Sequence, residues 1–481
     1  MAATALLVPV AFIVSLPIID YFSGRRLDIG TGTTVISKPL GESGVPDYQA
    51  ALNDQYGWDS VPKSDNFAVT LLQILDDTAI DVMGLRNQAM ECDIPRGGLK
   101  LEPPNYTDGD KDALANGLPQ SIAESAAWTR DKNPLLARWL DENVEVLSHV
   151  SAAIRQRKYL RQDMIIGDPP HWEWELPLGN ELMTVRGMFR ARGMLRLAEG
   201  KIEDAIDDYD TISRISTLMG TYRSPLYWIY ACGDRVGLSL IEYELLTHPD
   251  LTVKQWDRIS KISDGIGPIV SAKEIIGESF RYQILFLKTA GTNEAGGEMN
   301  IDVYCQSTNH FFDLAANAAG ESTFQKSLDR LSPIDPKKSS SMTTWDKWAR
   351  YMTPRRYAAK EDYSRTTKYV YPKVEKLLIF ECSAKTLREE SLVARSIARY
   401  RLDNDRLPET LDDLVPTWLT SIPADSFTGE LLSYKKAPSK YAFTVYSFGQ
   451  DGIDDESVIG TRNGDLPYGY ELQSHEKLGA K

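Results

Sequence analysis

Along most of this chain apolar residues recur three and four positions apart, the spacing of a helix with one buried face. Phe67, Leu71, Ile74 and Leu75 make the first such stripe, and Leu136, Trp139, Leu140, Leu147, Val150 and Ile154 make a longer one. Leu182, Val185, Met188 and Phe189 follow, then Leu226, Ile229 and Tyr230, then Trp256, Ile259 and Ile262, then Phe280, Ile284 and Leu287. Start signals agree with the stripes. Asn133-Pro134 and Ser224-Pro225 each place a capping side chain before a proline at the first helical position. Thr252 with Gln255 reads as a capping box, and Asp65 is placed to cap the helix of Phe67. Val374, Leu377, Leu378 and Phe380 start a last helix, continued by Val393, Ile397 and Tyr400. Glu389, Glu390, Arg395 and Arg399 fill its polar positions, and Leu407-Pro408 ends it because proline lacks an N–H and clashes with the preceding turn.

After Pro408 the period shortens. Thr410 to Leu414 predicts a short helical turn and Pro423 to Gly429 a turn-rich loop. Leu431 to Lys435 and Tyr441 to Phe448 read as two strands joined through Pro438-Ser439. Both alternating faces of the second are apolar, so a strand covered on both sides is expected. The predicted fold is mainly α: an N-terminal membrane helix, a helical-bundle body and a small α+β C-terminal module with an antiparallel β-hairpin. The expected division is an anchor over 1–22, a linker over 23–60, an α-helical domain over 61–330, a loop-rich connection over 331–368, the helix plus module over 369–460 and a tail over 461–481. Within the helical domain, RARGMLRLAEGKIEDAIDDYD looks like a single tetratricopeptide-type hairpin. Gly193 and Ala205 allow close helix approach, Gly200 makes the turn, and Tyr209 packs between. One copy cannot make a solenoid, which needs about three.

Ala2 to Ile19 carry no charge. A run of this length is near the minimum for crossing a bilayer, and membrane spans tolerate prolines such as Pro9 and Pro17. A cleaved signal peptide and a buried helix are the alternatives; the missing basic n-region argues against the first. Contact with the membrane is therefore expected through residues 2–19. Arg25 and Arg26 follow the span, and by the positive-inside rule they place the bulk in the cytoplasm.

The 68 acidic and 54 basic residues give a net charge of −14. That argues against a nucleic-acid partner, which needs a basic face, and against docking on anionic lipid through overall charge. Cys92, Cys232, Cys305 and Cys382 form no CxxC and read as thiols, with disulfides as the alternative. His149, His171, His248, His310 and His475 are scattered. HWEWE at 171–175 could set His171, Glu173 and Glu175 on one face of an extended segment, or simply anchor a loop by its tryptophans. No HExxH, GxSxG, P-loop or dinucleotide fingerprint occurs.

The most distinctive pattern closes the last strand: Gly449-Gln450-Asp451-Gly452-Ile453-Asp454-Asp455-Glu456. Clustered carboxylates on a bendable loop suit a hard cation such as calcium, although the spacing is not that of an EF-hand. Acidic Gly/Asp turns also serve as solvated hairpin ends. YRLDNDRLP, TLDDLVP, IPADSFTG and YSFGQDGIDD together resemble the globular C-terminal part of the type II secretion major pseudopilin family, over about residues 385–460. That resemblance implies calcium held by Asp451, Asp454 and Asp455, with the Ser447 carbonyl and Asp425 as further ligands. It also implies an extracytoplasmic bulk, against the charge rule. The chain departs from the family at Ser426-Phe427, where the family usually has a proline before the aromatic residue, and it lacks the family's N-terminal methylation motif with its glutamate. The function expected is a single-pass, membrane-anchored scaffold or interaction protein of the bacterial cell envelope, linked to secretion and engaging protein partners. The alternative is an envelope-located enzyme, a hydrolase, with its site in the helical domain.

Overall fold

A computed structural model describes residues 15–17, 19–20, 27–75, 77–82, 86–92, 99–102, 126–163, 165–166, 174–175, 178–289, 299–338, 344–437, 441–454 and 466–467. It is mainly helical, with a small antiparallel sheet near the C-terminus. The helices in order are α1 (Tyr48–Tyr56), α2 (Phe67–Gln73), α3 (Asp77–Val82), α4 (Arg86–Glu91), α5 (Pro134–Glu142), α6 (Val144–Ile154), α7 (Gly179–Ala198), α8 (Ile202–Gly220), α9 (Pro225–Thr247) and α10 (Val253–Asp264). There follow α11 (Ala272–Glu274), a π-helical turn (Ile275–Phe280), α12 (Arg281–Thr289), α13 (Ile301–Ala318), α14 (Phe324–Leu331), α15 (Thr344–Met352) and α16 (Pro354–Asn404). Two short strands, β1 (Ile165–Ile166) and β2 (Trp174–Glu175), pair antiparallel. β3 (Ser433–Lys436), β4 (Phe443–Ser447) and β5 (Leu466–Pro467) form the C-terminal sheet in that order.

The body is organised on α16, a single helix of 51 residues. At 1.5 Å per residue it is about 75 Å long. It passes through all three apolar clusters. Ala359 joins Tyr48, Leu285 and Tyr304. Val370, Val374, Leu377 and Leu378 pack with Ile275, Phe280, Phe311 and Phe324. Val393, Ala394, Ile397 and Tyr400 enter the largest core with α2, α6, α7, α8 and α9. Pro372 lies inside the helix and would normally break it. Here Pro372 and Lys368, whose carbonyl loses its donor, are both exposed, so water can take that hydrogen bond. The first turn is capped from a distance. Thr353 makes no side-chain cap, and the buried Asp20 carboxylate accepts from the N–H groups of Arg355 at 2.7 Å and Arg356 at 3.1 Å. Asp405 ends the helix in the left-handed region, φ 53°, a conformation that a short polar side chain tolerates.

Many sequence expectations hold. α5 starts at Pro134 with the Asn133 side chain accepting from Leu136 N, α9 starts at Pro225 although the expected Ser224 side-chain cap does not form, and the Thr252–Gln255 capping box forms. α7 and α8 make a helical hairpin with Gly200 at φ +73° in the turn, and Ala205 and Tyr209 fully buried. The strands form an antiparallel pair, Ser433 facing Tyr446 and Lys436 facing Phe443, and all of β4 is buried.

Other expectations are corrected. The linker over 23–60 contains α1, because Asp47 caps it and Tyr48 is wholly buried. Asn66, not Asp65, caps α2; Asp65 pairs with Lys158 instead. The stripe of Leu136 to Ile154 is two helices broken at Asn143, which ties back to residue 102. The loop-rich connection over 331–368 is largely helical, since Pro354 sits at the start of α16 and nothing interrupts the pattern before Pro372. Residues 466–467 of the expected tail add a third strand. His149 is structural, in contact with Gln73 at 3.0 Å, and all four cysteines are free thiols. Among the described residues no helix is long and apolar enough to cross a membrane. The expected span 2–19 lies outside them except for residues 15–17 and 19, as do His171 and Glu173.

The C-terminal module shares its core with the helices. Leu411, Leu414, Leu419, Leu432, Phe443 and Val445 belong to the largest apolar cluster. Polar ties cross the same boundary: Tyr243 OH donates to the Phe443 carbonyl at 2.9 Å, and Arg401 Nη2 to the Leu246 carbonyl at 2.9 Å.

Replacing Asp20 with Ala removes two charge-assisted caps from α16, and a loss of about 1–2 kcal/mol of stability is expected. Chemical denaturation of the full chain and of Asp20→Asn checks it, Asn keeping part of the cap.

Candidate functional site

Four segments meet beneath the C-terminal sheet: α16 at Thr386 and Glu390, the 423–429 loop, the end of β4 at Ser447, and the acidic loop after it. Asp425 is 2% exposed. Its Oδ1 accepts from Phe427 N at 2.9 Å and Thr386 Oγ1 at 3.2 Å, and its Oδ2 from Thr428 Oγ1 at 3.0 Å. Those three donors offset the desolvation of its carboxylate. The loop closes on itself, with Asp425 N bonded to the Glu430 carbonyl and Gly429 N, at φ +83°, bonded to the Asp425 carbonyl.

Glu390 lies one turn along α16 from Thr386. It is fully buried, and neither oxygen makes a hydrogen bond of good geometry, although the Ser447 backbone is close enough to favour the ionised form. Burial first, then the charge of Asp425, pushes its carboxyl well above the ordinary 4.5; the Ser447 backbone draws it back only in part. Sequence reasoning placed Glu390 among the outward polar positions. The signal was present all the same: Thr386, Glu390, Val393, Ile397 and Tyr400 follow one helical stripe, at steps of four, three, four and three.

The residues expected to hold calcium divide into two sets. Asp425 and Ser447 are buried, 2% and 1% exposed. Asp451 and Asp454 are on the exposed loop. Asp451 Oδ1 accepts from Ile453 N at 3.1 Å, and Asp454 Oδ1 from Tyr446 OH at 3.3 Å. Asp455 lies outside the described residues. The sets approach each other at Gly452, where an added Cβ would stand 3.6 Å from Thr428 Cγ2, and Thr428 in turn bonds Asp425. Among the described residues no group of three or more His, Cys, Asp or Glu side chains is arranged to hold a metal ion. The donor set is nonetheless all oxygen, as a hard cation requires, and Glu390 adds a carboxylate that the protein leaves unsatisfied.

A second polar feature lies in the helical body, a cleft of about 480 Å³ between α8, α9, α10 and α16. Its floor is the buried Glu242, whose carboxylate accepts from Ser263 Oγ at 2.5 Å and Ser391 Oγ at 2.8 Å. Arg395 Nε stands 3.6 Å from Glu242, and its Nη1 2.7 Å from Asp264. Tyr209 OH lies 2.9 Å from Ser263 Oγ, and burial next to Glu242 pushes its phenol well up. This cleft is one place where the expected alternative, an enzyme with its site in the helical domain, could work. Its carboxylate is already engaged by two hydroxyls and a guanidinium, an arrangement that fixes α16 against α9 and α10.

No protein-family model, curated protein or solved structure matches this chain.

Because the Glu390 pKa is raised in the folded state, its contribution to stability is full below about pH 4.5, the unfolded value, and is lost as pH rises through the folded value. With divalent cations chelated, the wild-type melting temperature should fall between mildly acidic and alkaline pH more steeply than that of Glu390→Gln. Equal slopes in the two proteins would show that Glu390 does not titrate in this way.

Proposed function

We propose that this protein is a membrane-anchored scaffold of the bacterial cell envelope, linked to secretion, that presents its helical body and C-terminal module to protein partners on the extracytoplasmic side. In this reading residues 2–19 supply the anchor, and the acidic loop with Asp425 and Ser447 binds calcium structurally. The observation that carries it is the convergence at the module. Two residues of the expected ligand set, Asp425 and Ser447, are buried around an unsatisfied carboxylate, Glu390, and the glycine of the acidic loop packs on Thr428 of the same turn.

Calcium would neutralise clustered carboxylates and hold the 449–455 loop against the 423–429 loop. The ligands in this assignment are Asp451, Asp454 and Asp455, with the Ser447 carbonyl and Asp425 beneath. No reaction is required of the ion. The Glu242 cleft is, on this reading, a structural joint, since its charged groups already satisfy one another.

Calcium at a hundredfold excess over its dissociation constant should stabilise the full chain by about 2.7 kcal/mol, read as a higher melting temperature than in chelator. Asp451→Ala combined with Asp454→Ala should abolish that rise while leaving the calcium-free melting temperature close to wild type. A wild-type protein that melts alike in calcium and in chelator would remove the ion from the proposal.

A further inference from the structure

A second hollow, of about 690 Å³, lies between α6, α8 and α10, and its lining is strongly basic. Arg157 and Lys158 come from the segment after α6, Arg214 from α8, and Arg258 and Lys261 from α10, while Asp210 is the one acidic residue lining it. Such a concentration is unexpected in a chain of net charge −14. Basic residues at helix C-termini complement the helix dipole, but that accounts only for those near the ends of α6 and α10. Arg214 and Arg258 sit mid-helix.

The pairing inside the hollow is incomplete. Lys158 pairs with Asp65 at 3.0 Å, Arg214 with Asp210 at 2.9 Å and Arg258 with Glu203 at 3.0 Å and with Asp207. Asp65, Glu203 and Asp207 stand outside the lining, whereas Asp210 is part of it. Among the described residues Arg157 has no carboxylate partner; it donates to the Ser64 carbonyl, and its buried Nε has no partner there. Lys261 forms no ion pair with a described residue. At the base, Ser213 is 3% exposed and its hydroxyl has no hydrogen-bond partner. The neighbouring Thr217 hydroxyl is in use, donating to the Ser213 carbonyl at 2.8 Å and accepting from Gly267 N at 3.2 Å.

We infer that this basic hollow between α6, α8 and α10 binds a phosphate-bearing ligand, with Arg157 and Lys261 supplying unneutralised charge and the Ser213 hydroxyl donating to a phosphate oxygen. The size falls in the range of small-molecule sites. Guanidinium forks suit phosphate oxygens, with lysines as point charges beside them. The same chemistry is offered by a soluble phosphate ester and by a phospholipid headgroup. The inference does not rest on the scaffold or calcium reading.

Inorganic pyrophosphate titrated into the full chain, by calorimetry in chelator and at constant ionic strength, provides the test. Saturable binding is expected, weakened by about tenfold in Arg157→Gln combined with Lys261→Gln, and weakened with unchanged folding in Ser213→Ala. The calcium-dependent rise in melting temperature should be the same in these variants as in wild type, which separates this site from the acidic loop. Vesicles of phosphatidylglycerol form the second arm, scored as the difference between wild type and the double variant. Binding of pyrophosphate assigns a soluble ligand; a vesicle difference without pyrophosphate binding assigns a lipid headgroup. Wild type and double variant behaving alike in both arms overturns the inference.

Discussion

One continuous helix sets the arrangement of this protein. α16 contributes to each of the three apolar clusters, so none can form fully until it is in place. Isolated helices gain little from propensity alone, and their stability comes from burying an apolar face. α16 changes its buried face along its length, from Ala359 to Val374 and Leu378 to Val393 and Ile397, because different neighbours cover it at each stage. Its irregular points are those that solvent or a distant side chain can satisfy. Pro372 and Lys368 face water, and Asp20 supplies the cap that Thr353 does not.

Buried charge fixes the helix in register. Arg395 reaches Asp264 and approaches Glu242, and Arg401 reaches the end of α9. On the other side of the body Arg186 meets Asp234 at 2.7 Å, and Asp208 meets Arg192 and Arg196 at 2.5 and 2.7 Å. Burying such pairs costs about as much as their attraction returns. They therefore add little net stability, whereas breaking one strands a charge. A slide of α16 by one turn would break the Arg395 and Arg401 contacts together, a penalty that adds to the lost apolar burial.

Helix existence was legible because it depends on local signals. Asn133-Pro134, Ser224-Pro225 and Thr252 with Gln255 each announced a start that forms, and the two-residue period before Gly449 announced the strand pair. The misreadings have one cause, that local sequence does not state which surface is covered. Glu390 is polar and so suggests an outward position, yet the 423–429 loop and β4 close over it. Residues 354–368 have a sparse apolar pattern that suggests a connection, yet α16 runs through them with Ala359 as the buried anchor. Asp20 could not be foreseen as a cap, because its partners lie 335 and 336 residues away. The basic hollow was equally hidden, being assembled from three helices.

The shared core has a consequence for the module. A small α+β unit with its own core could change conformation alone, but here Phe443 and Val445 pack into the cluster that holds α8 and α9. Phe427 packs at 5.7 Å between ring centres on Phe324 of α14, and Ser426 accepts from the Phe324 N–H. Thr386 ties Asp425 directly to α16. Proton loss at Glu390, or a rearrangement of the 423–429 loop at Asp425, acts on the helix that runs the length of the body. The cost of leaving Glu390 unsatisfied is then borne by the whole fold rather than by one loop. That is why a neutral side chain, packing equally well at that position, would have been the simpler solution for stability alone.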